Sequence, residues 1–245
     1  MKITILGNSG PYPRAGGACS GYLLETKNHK ILIDCGNGTL SRLLSIIGSL
    51  SELDAIILSH LHSDHISDIM VMRYALGINQ EKGAITRSIP LYAPKDPEDT
   101  YNKLQFKNAF IQEELMDHTM LTFGDIRITF KLMSHPIKTY SVIVEEKGKK
   151  FVYSADTKYC DAVNEISDNS DLFLCECNLL EKDRTEDAYH LSAKQVGEIA
   201  TNAGVKKLLL THLWPEYDTN ELLNEAKAYF SGDVEIATEL KSYEI

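Results

Sequence analysis

Apolar residues come mostly in short runs of four or five along this chain, and only in places with helical spacing. Runs at 2–6, 22–26 and 30–34 read as strands, the last two joined through Lys27-Asn28-His29. Leu40, Leu43, Leu44 and Ile47 give positions 39–47 the spacing of a helix. Ala55-Ile56-Ile57-Leu58 is a buried strand by its length and branched side chains, and Ile66 to Met72 opens a helix that the pattern closes near Gly77. After a strand at 89–92 the chain turns polar and hard to read through His118. Strands return at 126–130, 141–145 and 151–154, the last two joined across Gly148, and then at 172–175, 207–211 and 234–237, with helices at 192–203 and 221–230. Each strand-rich stretch closes with helix and strand. That repetition predicts two similar halves in one α/β domain over 1–245, two sheets packed face to face with helices outside.

Composition sets limits on this picture. The chain has 245 residues, 43% apolar and 24% charged, enough to bury a sizeable core. No apolar run approaches a membrane span, and the first residues lack a signal-peptide pattern, so a cytoplasmic protein is expected. Five cysteines form no C-x-x-C pair and leave an odd one over, which argues against a disulfide framework. Cys175 and Cys177 alternate in an apolar strand and are read as packing thiols. The net charge is −10, and the densest basic clusters are the pairs Lys149-Lys150 and Lys206-Lys207. A protein gripping a long polyanion shows a basic stripe, so large nucleic acid is disfavoured as a partner.

Chemistry concentrates in Ser59-His60-Leu61-His62-Ser63-Asp64-His65, which follows the strand ending at Leu58. Three imidazoles and a carboxylate at H-x-H-x-D-H spacing supply nitrogen and oxygen ligands for two borderline metal ions, at the end of a strand where sheet proteins place their sites. A dinuclear hydrolase is the first hypothesis. Two ions need more ligands than one loop gives, and three later strands end in suitable residues: His135 after 126–132, Asp156 after 151–155 and His212 after 207–211.

This ordered set resembles the metallo-β-lactamase superfamily over nearly the whole chain, with Asp34 in Ile33-Asp34-Cys35-Gly36 as a further motif. The resemblance implies a four-layer αβ/βα sandwich, the metallo-β-lactamase fold. It implies that His60, His62 and His135 bind one metal, that Asp64, His65 and His212 bind the other, and that Asp156 bridges them, while Asp34 braces the loop. A water shared by the two ions would ionise near neutral pH and attack the substrate. Imidazole and carboxylate suit zinc, manganese and iron alike.

Tyr189-His190-Leu191-Ser192 narrows the class. Ser192 is a good N-cap, which leaves His190 on a loop at the helix start. The segment resembles the histidine-serine-threonine motif of the ribonuclease Z branch, whose histidine helps to protonate the leaving oxygen, and Glu176 resembles that histidine's acidic partner. By that resemblance the catalytic residues are Asp64, His190 and Glu176. The tRNA-processing members carry a long arm between the third and fourth ligand motifs. Here His135 and Asp156 are only 21 positions apart, room for a single hairpin. The expected substrate is therefore a small phosphodiester, a cyclic nucleotide first, with ribonuclease Z-like RNA 3′-end cleavage as the alternative. A thioesterase or lactonase of the glyoxalase II type comes third, disfavoured by His190 and by the lack of an added helical domain. A degenerate metal-binding module would need missing ligands, and none is missing. The resemblance also implies a homodimer.

Overall fold

Short apolar runs at the head of the chain form an antiparallel meander of β1 (Lys2–Gly7), β2 (Gly21–Glu25) and β3 (Lys30–Ile33). The computed structural model describes residues 1–245 and divides into two units, 1–115 with 239–244 and 116–238 with 245. In the first unit the meander gives way to parallel crossovers: α1 (Thr39–Ile46) leads to β4 (Ala55–Ile57), α2 (Ser63–Ile66) and α3 (Ile69–Glu81) to β5 (Ile89–Ala93), and α4 (Glu98–Lys103) to β6 (Phe110–Glu114). β3 to β6 run parallel in that order. β4 is buried throughout, which is why its sequence is apolar throughout and does not alternate.

The second unit repeats the plan. β7 (Met120–Phe123), β8 (Ile126–Leu132), β9 (Tyr140–Glu146) and β10 (Lys149–Tyr153) are antiparallel neighbours. Then α5 (Asp161–Ser167), β11 (Leu172–Glu176), α6 (Ala193–Asn202), β12 (Lys207–Thr211), α7 (Thr219–Tyr229) and β13 (Asp233–Ile236) extend the sheet in parallel from β10. Val163, Phe173, Val196, Leu208 and Leu222 meet in its core, together with both Cys175 and Cys177, as alternation predicts. All five cysteines are free thiols. The chain ends by returning to the first unit, where β14 (Ser242–Glu244) pairs antiparallel with β1. Each unit thus holds one seven-stranded sheet. No helix is long and apolar enough to cross a membrane.

Two features depart from the sequence reading. The heptapeptide is not all loop, since Ser63–Ile66 closes a helical turn that contains Asp64 and His65. The next helix runs to Glu81 instead of stopping near Gly77, because Gly77 packs against the Phe106 ring, where a Cβ would lie 2.8 Å from a ring carbon. The glycine serves close packing and is no C-cap.

The parallel strands gather chemistry at their carboxyl ends. Asp34 follows β3, the histidine motif follows β4, Asp156 follows β10, Glu176 closes β11 and His212 follows β12. At three of these exits a non-glycine residue takes the left-handed conformation: Asp34 (φ 55°), Ala155 (φ 54°) and His212 (φ 52°). Such backbone is uncommon for side-chain-bearing residues and persists only where surrounding contacts impose it.

Candidate functional site

In the first unit the site is organised around Asp34, whose carboxylate is fully buried. Its Oδ1 accepts from the Ser59 backbone N–H at 2.7 Å, and its Oδ2 accepts from Ser59 Oγ and His65 Nδ1, each at 2.8 Å. Both oxygens are thus engaged with protein donors, as expected of a bracing acid. The last bond puts the His65 proton on Nδ1 and leaves the lone pair on Nε2. That nitrogen lies 3.5 Å from Asp64 Oδ2.

His60 Nε2 and His62 Nδ1 stand 3.1 Å apart. Two imidazole nitrogens on one tetrahedral zinc are separated by about 3.3 Å, given bonds of about 2.0–2.1 Å. The pair is therefore spaced for a shared ion, and the His65 ring sits 4.1 Å from that of His60. Gly36 makes this packing possible: a Cβ there would lie 1.9 Å from the Asp64 carbonyl oxygen and 2.7 Å from Cys19 Cβ. No side chain fits between the two loops.

In the second unit His135, Asp156 and His212 come together from three strand ends. Asp156 Oδ2 is 3.3 Å from His212 Nε2 and 3.9 Å from His135 Nε2, so one buried carboxylate oxygen stands beside two imidazoles. Asn178 Nδ2 donates to the His212 carbonyl at 2.9 Å and pins the left-handed turn. Burying carboxylates with imidazoles is costly unless a cation or strong donors compensate them. In both units the donors are the nitrogens and carboxylate oxygens that divalent ions such as zinc or manganese accept, and the residues present fit such ions. Thiols do not compete, because burial first, and then the Glu176 charge, pushes Cys175 and Cys177 far above the ordinary thiol range.

Glu176 is the second fully buried acid, and it ties three loops together. Its Oε1 accepts from the Thr157 backbone N–H at 2.7 Å, its Oε2 from the Leu191 N–H at 3.3 Å, and its own N–H donates to Ser154 Oγ at 2.9 Å. His190 Nδ1 lies 3.1 and 3.2 Å from the two carboxylate oxygens. The His190 ring stacks on that of His212 at 5.2 Å and stands 5.4 Å from that of His135. Ser192 caps α6 through a reciprocal capping box with Gln195, which holds the His190 loop at the helix start.

The structure thus groups His60, His62, Asp64 and His65 in one unit, and His135, Asp156, His212, His190 and Glu176 in the other. Sequence reasoning missed the residues that hold them: Ser59, Thr157 and Asn178. Ser59 alone had a signal, its place directly before His60.

Comparison with known proteins agrees with this geometry. Residues 29–213 match the model of the beta-lactamase superfamily domain. The chain is 34% identical over 238 residues to the probable metallo-hydrolase YhfI of Bacillus subtilis (strain 168), covering 97% of each. The crystal structure of that metallo-beta-lactamase fold protein superimposes with a TM-score of 0.91 over 99% of this chain and 98% of that one. Ribonuclease Z of Archaeoglobus fulgidus is 24% identical over 304 aligned positions, covering 100% of this chain and 98% of that protein. An alignment longer than the 245 residues here means that the archaeal protein carries insertions that this chain lacks. The short form of human tRNase Z has the same fold at a TM-score of 0.77, with 19% identity over 100% of this chain and 99% of that one.

Proposed function

The chain belongs to the metallo-β-lactamase superfamily and is a metal-dependent hydrolase, and from that premise we propose that it is a dinuclear phosphodiesterase acting on a small phosphodiester, most directly a cyclic nucleotide. The observation that carries this reading is His190. It is held through Nδ1 by a buried carboxylate and stacked beside His212, and about a quarter of its side chain is open to solvent (26%), whereas the similarly braced His65 of the first unit has no exposed side-chain surface. A thiolate or an enolate leaves without help, whereas a ribose alkoxide needs a proton.

In this reading the divalent ions would be held by His60, His62, Asp64 and His65 of the first unit and by His135, Asp156 and His212 of the second. When bound, two divalent ions supply Lewis acidity, acidifying water and offsetting the charge that builds on phosphorus oxygens. The chain's own residues do the rest. Asp34 keeps the His65 proton on Nδ1, so Nε2 is offered as a ligand. Glu176 keeps the His190 Nδ1–H engaged, so the proton for the departing oxygen comes from Nε2. Hydrolysis adds one water across a P–O bond: oxygen goes to phosphorus, and the alkoxide takes the proton that His190 releases.

Substrate size follows from the interval between His135 and Asp156. It holds only β9 and β10, joined at Lys147-Gly148, with no room for an arm. With the −10 charge, this supports a nucleotide-sized substrate over a folded RNA. RNA 3′-end cleavage remains the second reading because proteins named ribonuclease Z are among the relatives. A homodimer, read by sedimentation, belongs to the same proposal. The test is a screen of the purified, metal-loaded protein against 2′,3′- and 3′,5′-cyclic nucleotides, bis-p-nitrophenyl phosphate, a precursor tRNA and a thioester. Cyclic nucleotides should be hydrolysed. His190→Ala should keep its metal and lose roughly a hundredfold or more in turnover, with a smaller loss on the p-nitrophenyl ester. Efficient precursor-tRNA cleavage with cyclic nucleotides untouched would replace this reading with the second.

A further inference from the structure

We propose that Tyr189 is the platform on which the base of a nucleotide substrate stacks, an inference that rests on the phosphodiesterase reading above. Tyr189 directly precedes His190, and half of its surface is open to solvent (50%). Its ring meets His135 edge to face, with centroids 6.5 Å apart at 83°. The His135 ring is in turn 5.4 Å from that of His190. A free aromatic surface therefore begins one ring away from both a proposed ligand and the proposed proton donor. In a nucleotide the base is separated from its phosphate by a single sugar, a span of the same order.

Exposed aromatics are common on protein surfaces and need no function by themselves. Tyr159 shows the ordinary case. It is nearly as exposed (47%) and lies three residues after Asp156, but its hydroxyl accepts from Asn164 Nδ2 on α5 at 3.3 Å, and its ring meets no histidine. Tyr189 differs because its ring packs edge to face with His135 while half of its surface stays exposed. The surrounding loop adds selectivity: the exposed carboxylates of Glu186 and Asp187 precede Tyr189 and repel an extended phosphate backbone, whereas a single nucleotide brings only one phosphate. Stacking on an aromatic side chain tolerates any base, so the platform should distinguish nucleotides from other phosphoesters without ranking the bases strongly.

The test compares adenosine 5′-monophosphate, a product-like probe, with ribose 5-phosphate, which lacks the base. Binding of each to the metal-loaded wild type and to Tyr189→Phe, Tyr189→Ala and Tyr159→Ala is measured by calorimetry, beside metal content and cyclic-nucleotide turnover. The wild type should prefer the nucleotide by at least about tenfold. That ratio should survive in Tyr189→Phe and Tyr159→Ala and collapse in Tyr189→Ala, with ribose 5-phosphate binding and metal content unchanged. A Tyr189→Ala protein that loses metal, or loses both probes equally, would make the ring a shield for His135 and overturn the proposal. So would a wild type that shows no preference or binds neither probe, or an equal collapse in Tyr159→Ala. A ratio that depends on Tyr189 in a protein that hydrolyses no cyclic nucleotide would keep the platform and reject the phosphodiesterase reading. Turnover with a ratio indifferent to Tyr189 would do the reverse.

Discussion

Replacing Asp34 by Asn changes one oxygen into an NH2 group and leaves the shape intact, so its cost measures how the carboxylate is used. Three donors face that carboxylate: the Ser59 N–H on Oδ1, and Ser59 Oγ with His65 Nδ1 on Oδ2. An amide can orient in two ways, and both fail. With the amide oxygen toward Ser59 Oγ and His65, the NH2 meets the Ser59 N–H, two donors at 2.7 Å. One hydrogen bond is lost, a buried donor is orphaned at about 1–3 kcal/mol, and the two remaining bonds drop from charged to neutral strength. With the oxygen toward the Ser59 N–H, the NH2 faces His65 Nδ1, which must then accept. The His65 proton moves to Nε2, the atom 3.5 Å from Asp64 Oδ2, and the ring can no longer ligate through it.

Folding should therefore weaken by about 2–4 kcal/mol. Metal affinity should fall by about 10- to 100-fold, the usual cost of losing an outer-shell partner. Urea unfolding of the metal-free protein gives the first quantity, and zinc competition against a chromophoric chelator gives the second. Ser59→Ala is the graded control, removing the Oγ bond alone for about 1 kcal/mol. An Asp34→Asn protein within about 0.5 kcal/mol of wild type, binding zinc equally well, would refute the argument that this carboxylate sets the His65 tautomer.

Gly36→Ala inserts a Cβ 1.9 Å from the Asp64 carbonyl, so it should destabilise by about 3 kcal/mol or more and depress zinc affinity; a variant with wild-type unfolding and zinc binding would show that the loops part freely. Burial pushes the Asp171 carboxyl up, but the Lys150 N–H and the Lys149 and Lys206 ammonium groups, each at 2.9 Å, bring it down from 3.8 to about 2. Its folded value lies below the unfolded one, so its contribution of about 2 kcal/mol is complete above about pH 4 and lost as pH falls toward 2, and the wild type's advantage over Asp171→Asn in urea unfolding should shrink across that window. An advantage constant from about pH 7 to 3 would exclude this linkage. Ser192→Ala removes the α6 cap and should cost about 1 kcal/mol while metal content holds; unchanged stability would mean that Gln195 and Glu181 hold that turn without it.

Legibility of the fold followed the size of the local signal. β1 to β5 and β8 to β13 were readable because each is an apolar run closed by turn residues. α4 and α5 were not: Glu98–Lys103 has no buried residue, and Asp161–Ser167 offers only Val163 and Ile166 as large apolar residues on about two turns. β14 was invisible because it exists only by pairing with β1 across the whole chain, Lys2 with Glu244. At the site, histidines and acids at strand ends stood out because they are rare there. Ser59, Thr157 and Asn178 did not, since a serine, threonine or asparagine after a strand is an ordinary turn residue whose partner only the folded backbone reveals.

The two buried acids show how one device can serve two ends. Asp34 and Glu176 each stand at the exit of a strand, each is fully buried, each accepts backbone N–H groups, and each binds Nδ1 of a histidine from a later segment. The partner histidines differ in access. His65 has no exposed side-chain surface, so its Nε2 can meet only what is buried with it, which suits a ligand. His190 keeps about a quarter of its side-chain surface (26%), so a substrate oxygen can reach it and the proton it loses can be replaced from solvent. Exchange of access should therefore exchange role. A bulky residue that sealed His190 would leave a histidine able to bind metal but unable to turn over protons, and Ala188→Phe, two residues earlier in the same loop, is the place to try it. Turnover that fell while zinc capacity stayed constant or rose would support access as the deciding variable. Undiminished turnover with His190 demonstrably sealed from solvent exchange would show that the two pairs differ in something other than access.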